Sequence, residues 1–362
     1  MVPDLPTPAI LIDGDVVRRN LQRMATYARE HGLRLRPHTK THKSLMLARM
    51  QLEHGAAGLT VAKVGEAEVM AAVADDLLVA YPAVDRHRCA AFAALACGRT
   101  VRVAVDSAYA ADALGAAAAE AGSVIGILVD LDVGLHRTGV QTPGETMVLA
   151  RHVTRSPGLR LDGLFFYPGH VGGPPAAQRD KLAAVDVLVA ESLSLWTRDG
   201  MQAPVVSGGS TPTAYQSHLV SGMTEIRPGT YVYHDMNGVH GGYATQDDCA
   251  ARVLATVVST AVPGQVVIDA GSKALTMDRC GAAPESGHGL VVEYPDAKIT
   301  KLTEEHGQVD VRQCARPPKV GERVSVIPNH VCPCINLQDR VWWRDPGAAP
   351  RPVPVDARGR VH

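Results

Sequence analysis

Aromatic residues are scarce: Phe, Trp and Tyr make up only 4% of the 362 residues, with three Phe and three Trp. A core without large rings must be filled by aliphatic side chains and by close packing of small ones, for which the chain's many Ala and Gly residues are suited. Long apolar runs are missing as well. Nothing approaches the ~18 consecutive apolar residues of a membrane-spanning helix, and MVPDLPTPAILID at the start lacks the basic-then-apolar order of a secretory signal. A cytoplasmic protein with no membrane partner is expected. The formal net charge is −1, so the positive field that nucleic acids and anionic surfaces reward is absent. No nucleic-acid partner is expected, and the ligand should be a small molecule. The seven cysteines are scattered and show no repeated CxxC pair, which excludes a disulfide framework.

What is present is an alternation. TPAILID reads as a strand, and VVRRNLQRMATYAREHG has apolar residues at three- and four-residue spacing until Gly32 stops the helix. The same strand-then-helix order recurs through LRLRPH, AGLTVA, DLLVAYP, TVRVAVD, VIGILVDLDVG, LRLDGLFFYPG, APVVSGGS and TEIRPGTYVYHD. Such a series calls for parallel strands, and the number of units favours a closed (β/α)₈ barrel of the TIM type over a doubly wound sheet. After about residue 245 the rhythm changes to short alternating strands, from ARVLATVVST to DRVWWR, with GAAPRPVPVD as a loop near the end. The expected organisation is a barrel over residues 14–245, with 1–13 and 246–362 forming a mostly antiparallel β domain.

In a parallel barrel the chemistry sits at the C-terminal ends of the strands. RPHTKTHK (36–43) falls at such an end. A lysine there can face the barrel mouth among other cations and act as an amine nucleophile, although a solvated turn would need the same residues. VVSGGSTPTAY (205–215) and EIRPGTYVYHD (225–235) break late strands into glycines and hydroxyls, suited to a phosphate cup. Arg137, in VDLDVGLHRTGV, could meet an anionic oxygen or pair with Asp130 or Asp132. In LFFYPGHVGG, Tyr167 could cover a ring, and His170 could act as acid or base. His330 and Cys332, in VSVIPNHVCPCINLQD, form a soft, zinc-favouring pair, read as alternate residues of an extended segment. Two ligands suit an open catalytic metal better than a closed structural one.

Together with VIDAGSKALTMD and EEHG, these motifs resemble the fold-type III pyridoxal-phosphate (PLP) enzymes, the alanine-racemase-like barrels, and more narrowly the D-serine dehydratase and D-threonine aldolase branch. The resemblance runs nearly the full length. It implies that Lys40 anchors PLP covalently and takes the substrate's Cα proton. Arg137 would contact the phenolic oxygen, Tyr167 the ring, and Ser210, Thr211, Gly229 and Thr230 the phosphate. His330 and Cys332 would bind a divalent metal, zinc first, with manganese and magnesium as alternatives. The implied activity is a lyase of β-hydroxy-D-amino acids of the D-serine or D-threonine dehydratase type. Cys332 favours that reading, because the aldolases more often carry aspartate two residues after the histidine. YPGH points to the alternative, retro-aldol cleavage to glycine and an aldehyde with His170 as base. A racemase would need no metal pair, and a non-catalytic PLP carrier would need no second domain. The resemblance also implies a homodimer with its active site near the subunit interface.

Overall fold

The computed structural model describes residues 5–362; residues 1–4 of the expected N-terminal segment lie outside the described residues. The described residues divide into two compact units, one of residues 22–40, 45–229 and 359–362, the other of 5–21, 41–44 and 230–358.

In the larger unit eight parallel strands follow one another: Arg34–Leu35, Leu59–Val61, Asp76–Val79, Thr100–Val105, Ile125–Leu131, Leu159–Phe166, Val205–Gly208 and Glu225–Ile226. The last strand pairs with the first, Arg34 opposite Glu225, and a parallel bridge between His38 and Thr60 joins the first strand to the second. The sheet therefore closes into a barrel, and helices connect most of its strands. Local chemistry sets the helix starts. Asp85 and Ser107 accept the Arg88 and Ala110 N–H groups, while Thr142 and Glu145 form a capping box with Pro143 in the first turn. The Ala-rich helices Arg86–Ala96 and Ala108–Ala121 pack directly on each other, the close approach that small side chains permit.

The barrel interior is layered. Leu78, Ala104, Leu128, Phe165 and Val205 form an apolar cluster against Tyr167. Two residues back on the same strand faces, Asp76 and Arg102 belong to an ion network. Arg36 donates from Nε to Glu225 (2.8 Å) and from Nη1 to Asp76 (2.7 Å), and Arg102 donates to Asp76 (2.5 Å) and Asp162 (2.7 Å). Gly126 makes room for this layer, since a Cβ there would fall 2.3 Å from Asp162 Oδ2.

The second unit holds a nine-stranded sheet, mostly antiparallel. Ala9–Asp13 lies inside it, antiparallel to Ala251–Ser259 and parallel to Arg340–Arg344. The segment expected as a loop near the end contains a strand, Arg351–Pro354, paired with Arg340–Arg344. It is the last strand of the sheet, and an edge position tolerates the missing N–H groups of Pro352 and Pro354. Among the described residues no helix is long and apolar enough to cross a membrane.

Candidate active site

After the strand Arg34–Leu35 the backbone stays tied to the barrel: the Arg36 N–H donates to Ile226 O (2.9 Å) and the His38 N–H to Pro228 O (3.0 Å). Thr39 Oγ1 donates to Thr60 O (3.1 Å). Lys40 then sits in the tight turn Thr39–Thr41, its N–H donating to His38 Nδ1 (3.3 Å). His42 repeats the device, accepting the Ser44 N–H on Nδ1 (3.1 Å). Of the residues in RPHTKTHK only Lys40 is exposed; Arg36, His38, His42 and Lys43 are all buried. The cluster is not a solvated basic patch. Its histidines shape the turn, and Lys40 is the amine presented at the strand end.

At the ends of the last two barrel strands, Thr211 Oγ1 accepts the Gly229 N–H (3.1 Å), and Ser210 and Thr213 share a hydroxyl contact at 3.0 Å. Glycine is required where the chain turns. A Cβ on Gly208 would lie 2.1 Å from the Phe166 ring, and Gly209 has φ +79°. This brings Ser210, Thr211 and Gly229 together in a compact cradle of small donors, chemistry that fits a phosphate. Arg227, which the sequence reading did not single out, underpins it. Buried, it donates to Ser207 Oγ (2.8 Å) and Phe166 O (2.7 Å) and lies 3.7 Å from the Phe165 ring centroid.

Arg137 is not tied up by the carboxylates near it in sequence. Asp132 accepts the Gly134 and His136 N–H groups and His136 Nδ1 (2.8 Å), whereas Asp130 accepts Thr138 Oγ1 (2.9 Å). The guanidinium instead lies over Tyr167, 4.8 Å from the ring centroid. These side chains line one small cavity with Leu131 and Leu135, so an arginine and a tyrosine ring stand together at this strand end. Burial raises the Asp130 carboxyl to about 6, against the opposing effects of Thr138, Arg227 and Arg137. His170 packs against the Gly134 turn, where a Cβ would lie 3.1 Å from its Nε2. Burial, then Lys181, hold its pKa below the ordinary histidine value, leaving a neutral imidazole at pH 7.

In the second unit the strand Arg323–Ile327 leads through Pro328 and Asn329 to His330, the N-cap of the helix Val331–Asn336. Cys332 is therefore not on an extended segment as expected. It lies in the first helical turn, and the change from strand to helix brings the two side chains near enough for Cys332 to act on the ionisation of His330. Asp235 fixes this turn by accepting the Val331 N–H (3.0 Å). Cys332 Sγ donates to Thr41 Oγ1 (3.3 Å) and lies 3.8 Å from Thr230 Oγ1. Thr230 opens the short turn Thr230–Val232. On its other side His330 Nδ1 meets Asp278 Oδ2 at 2.8 Å. Burial opposes charge on His330, but Cys332, Asp278 and Asp235 outweigh it and raise the imidazole to about 9. Among the described residues no third metal-type side chain completes a cluster. A nitrogen and a sulfur ligand with open positions fit a catalytic rather than a structural metal. Asp278 closes the VIDAGSKALTMD motif, but nothing local in the sequence pointed to its pairing with His330, 52 positions further on.

Residues 12–237 match the family model for the alanine racemase N-terminal domain, and residues 250–343 match one for a putative serine dehydratase domain. The chain is 34% identical over 351 residues to the D-threo-3-hydroxyaspartate dehydratase of Delftia sp. (strain HT23), covering 91% of each chain. The crystal structure of D-threonine aldolase from Filomicrobium marinum superposes with a TM-score of 0.93 at 31% identity, over 100% of this chain and 98% of that one. A D-threo-3-hydroxyaspartate dehydratase with a cysteine replaced by alanine, in its metal-free form, superposes with a TM-score of 0.89 at 30% identity over 97% of each chain.

Proposed function

The chain belongs to the alanine racemase-like enzymes that use PLP on a fold-type III barrel, and from that premise we propose that it is a PLP- and divalent-metal-dependent lyase of β-hydroxy-D-amino acids, of the dehydratase type. The observation that carries the choice is the metal pair: Cys332 stands two residues after His330, in the first turn of the helix that His330 caps. A cysteine is likewise the residue altered in the metal-free form of the similar dehydratase.

Lys40 Nζ would hold the cofactor, Ser210, Thr211, Gly229 and Thr230 its phosphate, Arg137 its phenolic oxygen and Tyr167 the face of its ring. When bound, PLP supplies an electron sink for the amino acid's Cα. Lys40 Nζ would also be the base that takes the substrate's Cα proton. Its position on a turn pinned by His38, Thr39 and the barrel backbone gives that amine a defined reach. His330 and Cys332 would hold the divalent metal, zinc by the softness of the pair, which supplies Lewis acidity toward a hydroxyl oxygen. Loss of β-hydroxide and the Cα proton removes one water. Hydrolysis of the resulting enamine returns one water and gives a 2-oxo acid and ammonia. A homodimer in the cytoplasm completes the reading.

His170 supports a second reading. A neutral imidazole beside the Gly134 turn can take a proton from the substrate hydroxyl, the step a retro-aldol cleavage needs. Product analysis decides between them: with D-threonine, 2-oxobutanoate and ammonia identify the dehydratase, whereas glycine and acetaldehyde identify the aldolase. Lys40→Ala should abolish turnover and the visible absorbance of bound PLP. If that absorbance survives in Lys40→Ala and disappears in Lys43→Ala, the anchor is misassigned.

A further inference from the structure

Resting on the reading of His330 and Cys332 as metal ligands, we propose that Asp278 is the outer carboxylate of that centre, a positioning residue that holds His330 with its proton on Nδ1 and its Nε2 lone pair toward the metal. An imidazole offers two nitrogens, and a metal takes whichever is left without a proton. Here Asp278 Oδ2 lies 2.8 Å from Nδ1, so an ionised Asp278 can only accept and Nδ1 must donate. Nε2 is then the ligand atom, on the side away from the carboxylate. The same bond restrains ring rotation and strengthens the imidazole as a donor to the metal.

Asp278 is built into place. Asn329, buried and adjacent to His330 in the chain, donates from Nδ2 to the backbone oxygens of Asp278 (3.1 Å) and Gly287 (2.8 Å). The Asp278 N–H donates to Thr276 Oγ1 (3.3 Å), and Thr276 itself sits at φ +64°. One residue, Asn329, thus ties the loop that carries the carboxylate to the segment that carries the imidazole. The distance of 52 residues in sequence is bridged by that amide.

The test uses the metal-depleted, PLP-loaded enzyme titrated with zinc against a competing chromophoric chelator. The PLP absorbance serves as the control for folding. Asp278→Ala should weaken zinc binding by roughly 10- to 100-fold, and Asp278→Asn, which keeps an acceptor without charge, should fall between it and the wild type. Wild-type affinity in Asp278→Ala alongside lost binding in His330→Ala overturns the proposal and leaves the metal pair standing. Wild-type affinity in both variants overturns the metal pair itself, and the proposal with it. Imidazole nitrogen NMR of the zinc-loaded wild type gives a readout free of any folding defect. A proton on Nδ1 with Nε2 shifted by metal is expected; zinc on Nδ1 overturns the assignment.

Discussion

Replacing Arg36 by methionine should destabilise the barrel far more than an ordinary core substitution. Arg36 is 1% exposed and lies between Asp76 and Glu225. Asp76 would keep Arg102 as a partner at 2.5 Å, but Glu225, 0% exposed, would keep only the Ser207 hydroxyl at 2.7 Å as a direct partner, with the Arg227 charge beyond it. Breaking a buried pair by removing one partner costs about 3–5 kcal/mol, because the remaining charge is left in a poor solvent. Urea unfolding followed by circular dichroism gives the number for Arg36→Met, Glu225→Gln and the double variant. Glu225→Gln should recover a large part of the loss when added to Arg36→Met, since no charge is then buried alone. A cost below about 1 kcal/mol for Arg36→Met, or losses that simply add in the double variant, would refute the reasoning. The consequence should reach the cofactor too. Arg36 and Glu225 stand just before the Lys40 turn and the Gly229 cradle, so PLP affinity should fall with stability in Arg36→Met.

Asp130→Asn tests the buried carboxyl beside Arg137. Its folded pKa of about 6 is above the ordinary 3.8, so the folded state retains a proton that the unfolded chain releases. Stability should therefore be greatest below pH 4, decline as pH rises toward 6 and level off beyond. At ~1.36 kcal/mol per pKa unit the whole effect is roughly 3 kcal/mol. Asp130→Asn should match the wild type at pH 4 and exceed it at pH 8 in urea midpoints; a parallel pair of curves would contradict the shift. Stripping divalent metal should abolish ammonia release from D-serine while the visible PLP absorbance stays, and added zinc should restore it. Full turnover after chelation would remove His330 and Cys332 from the mechanism. Gly126→Ala should cost about 1–3 kcal/mol by overpacking against Asp162, read as a lower urea midpoint; an unchanged midpoint would mean that the ion layer is free to shift.

Apolar periodicity made the eight barrel units legible, because a buried parallel strand must be nearly continuous in Val, Ile and Leu and each helix must show one apolar face. RPHTKTHK, the two glycine-rich turns and the His330–Cys332 pair stood out for a related reason: each is a short local motif at a strand end. What sequence could not separate were residues whose roles depend on burial. His38, His42 and Lys43 look as basic as Lys40, yet only Lys40 reaches solvent. The edge strand Arg351–Pro354 looked like a loop because its prolines forbid a central strand but not an outer one.

Local composition thus determined which elements form and in what order, since propensity, capping and periodicity act over a few residues. Tertiary structure alone decided which polar groups face one another. Arg36 meets Glu225 across 189 positions and His330 meets Asp278 across 52. No local pattern encodes such pairs, because they arise only when the closed barrel and the folded sheet bring distant strand ends and loops to hydrogen-bonding distance. Once buried there, a charge must have its partner, and that requirement sets the ionisation and orientation of the groups assigned to the chemistry.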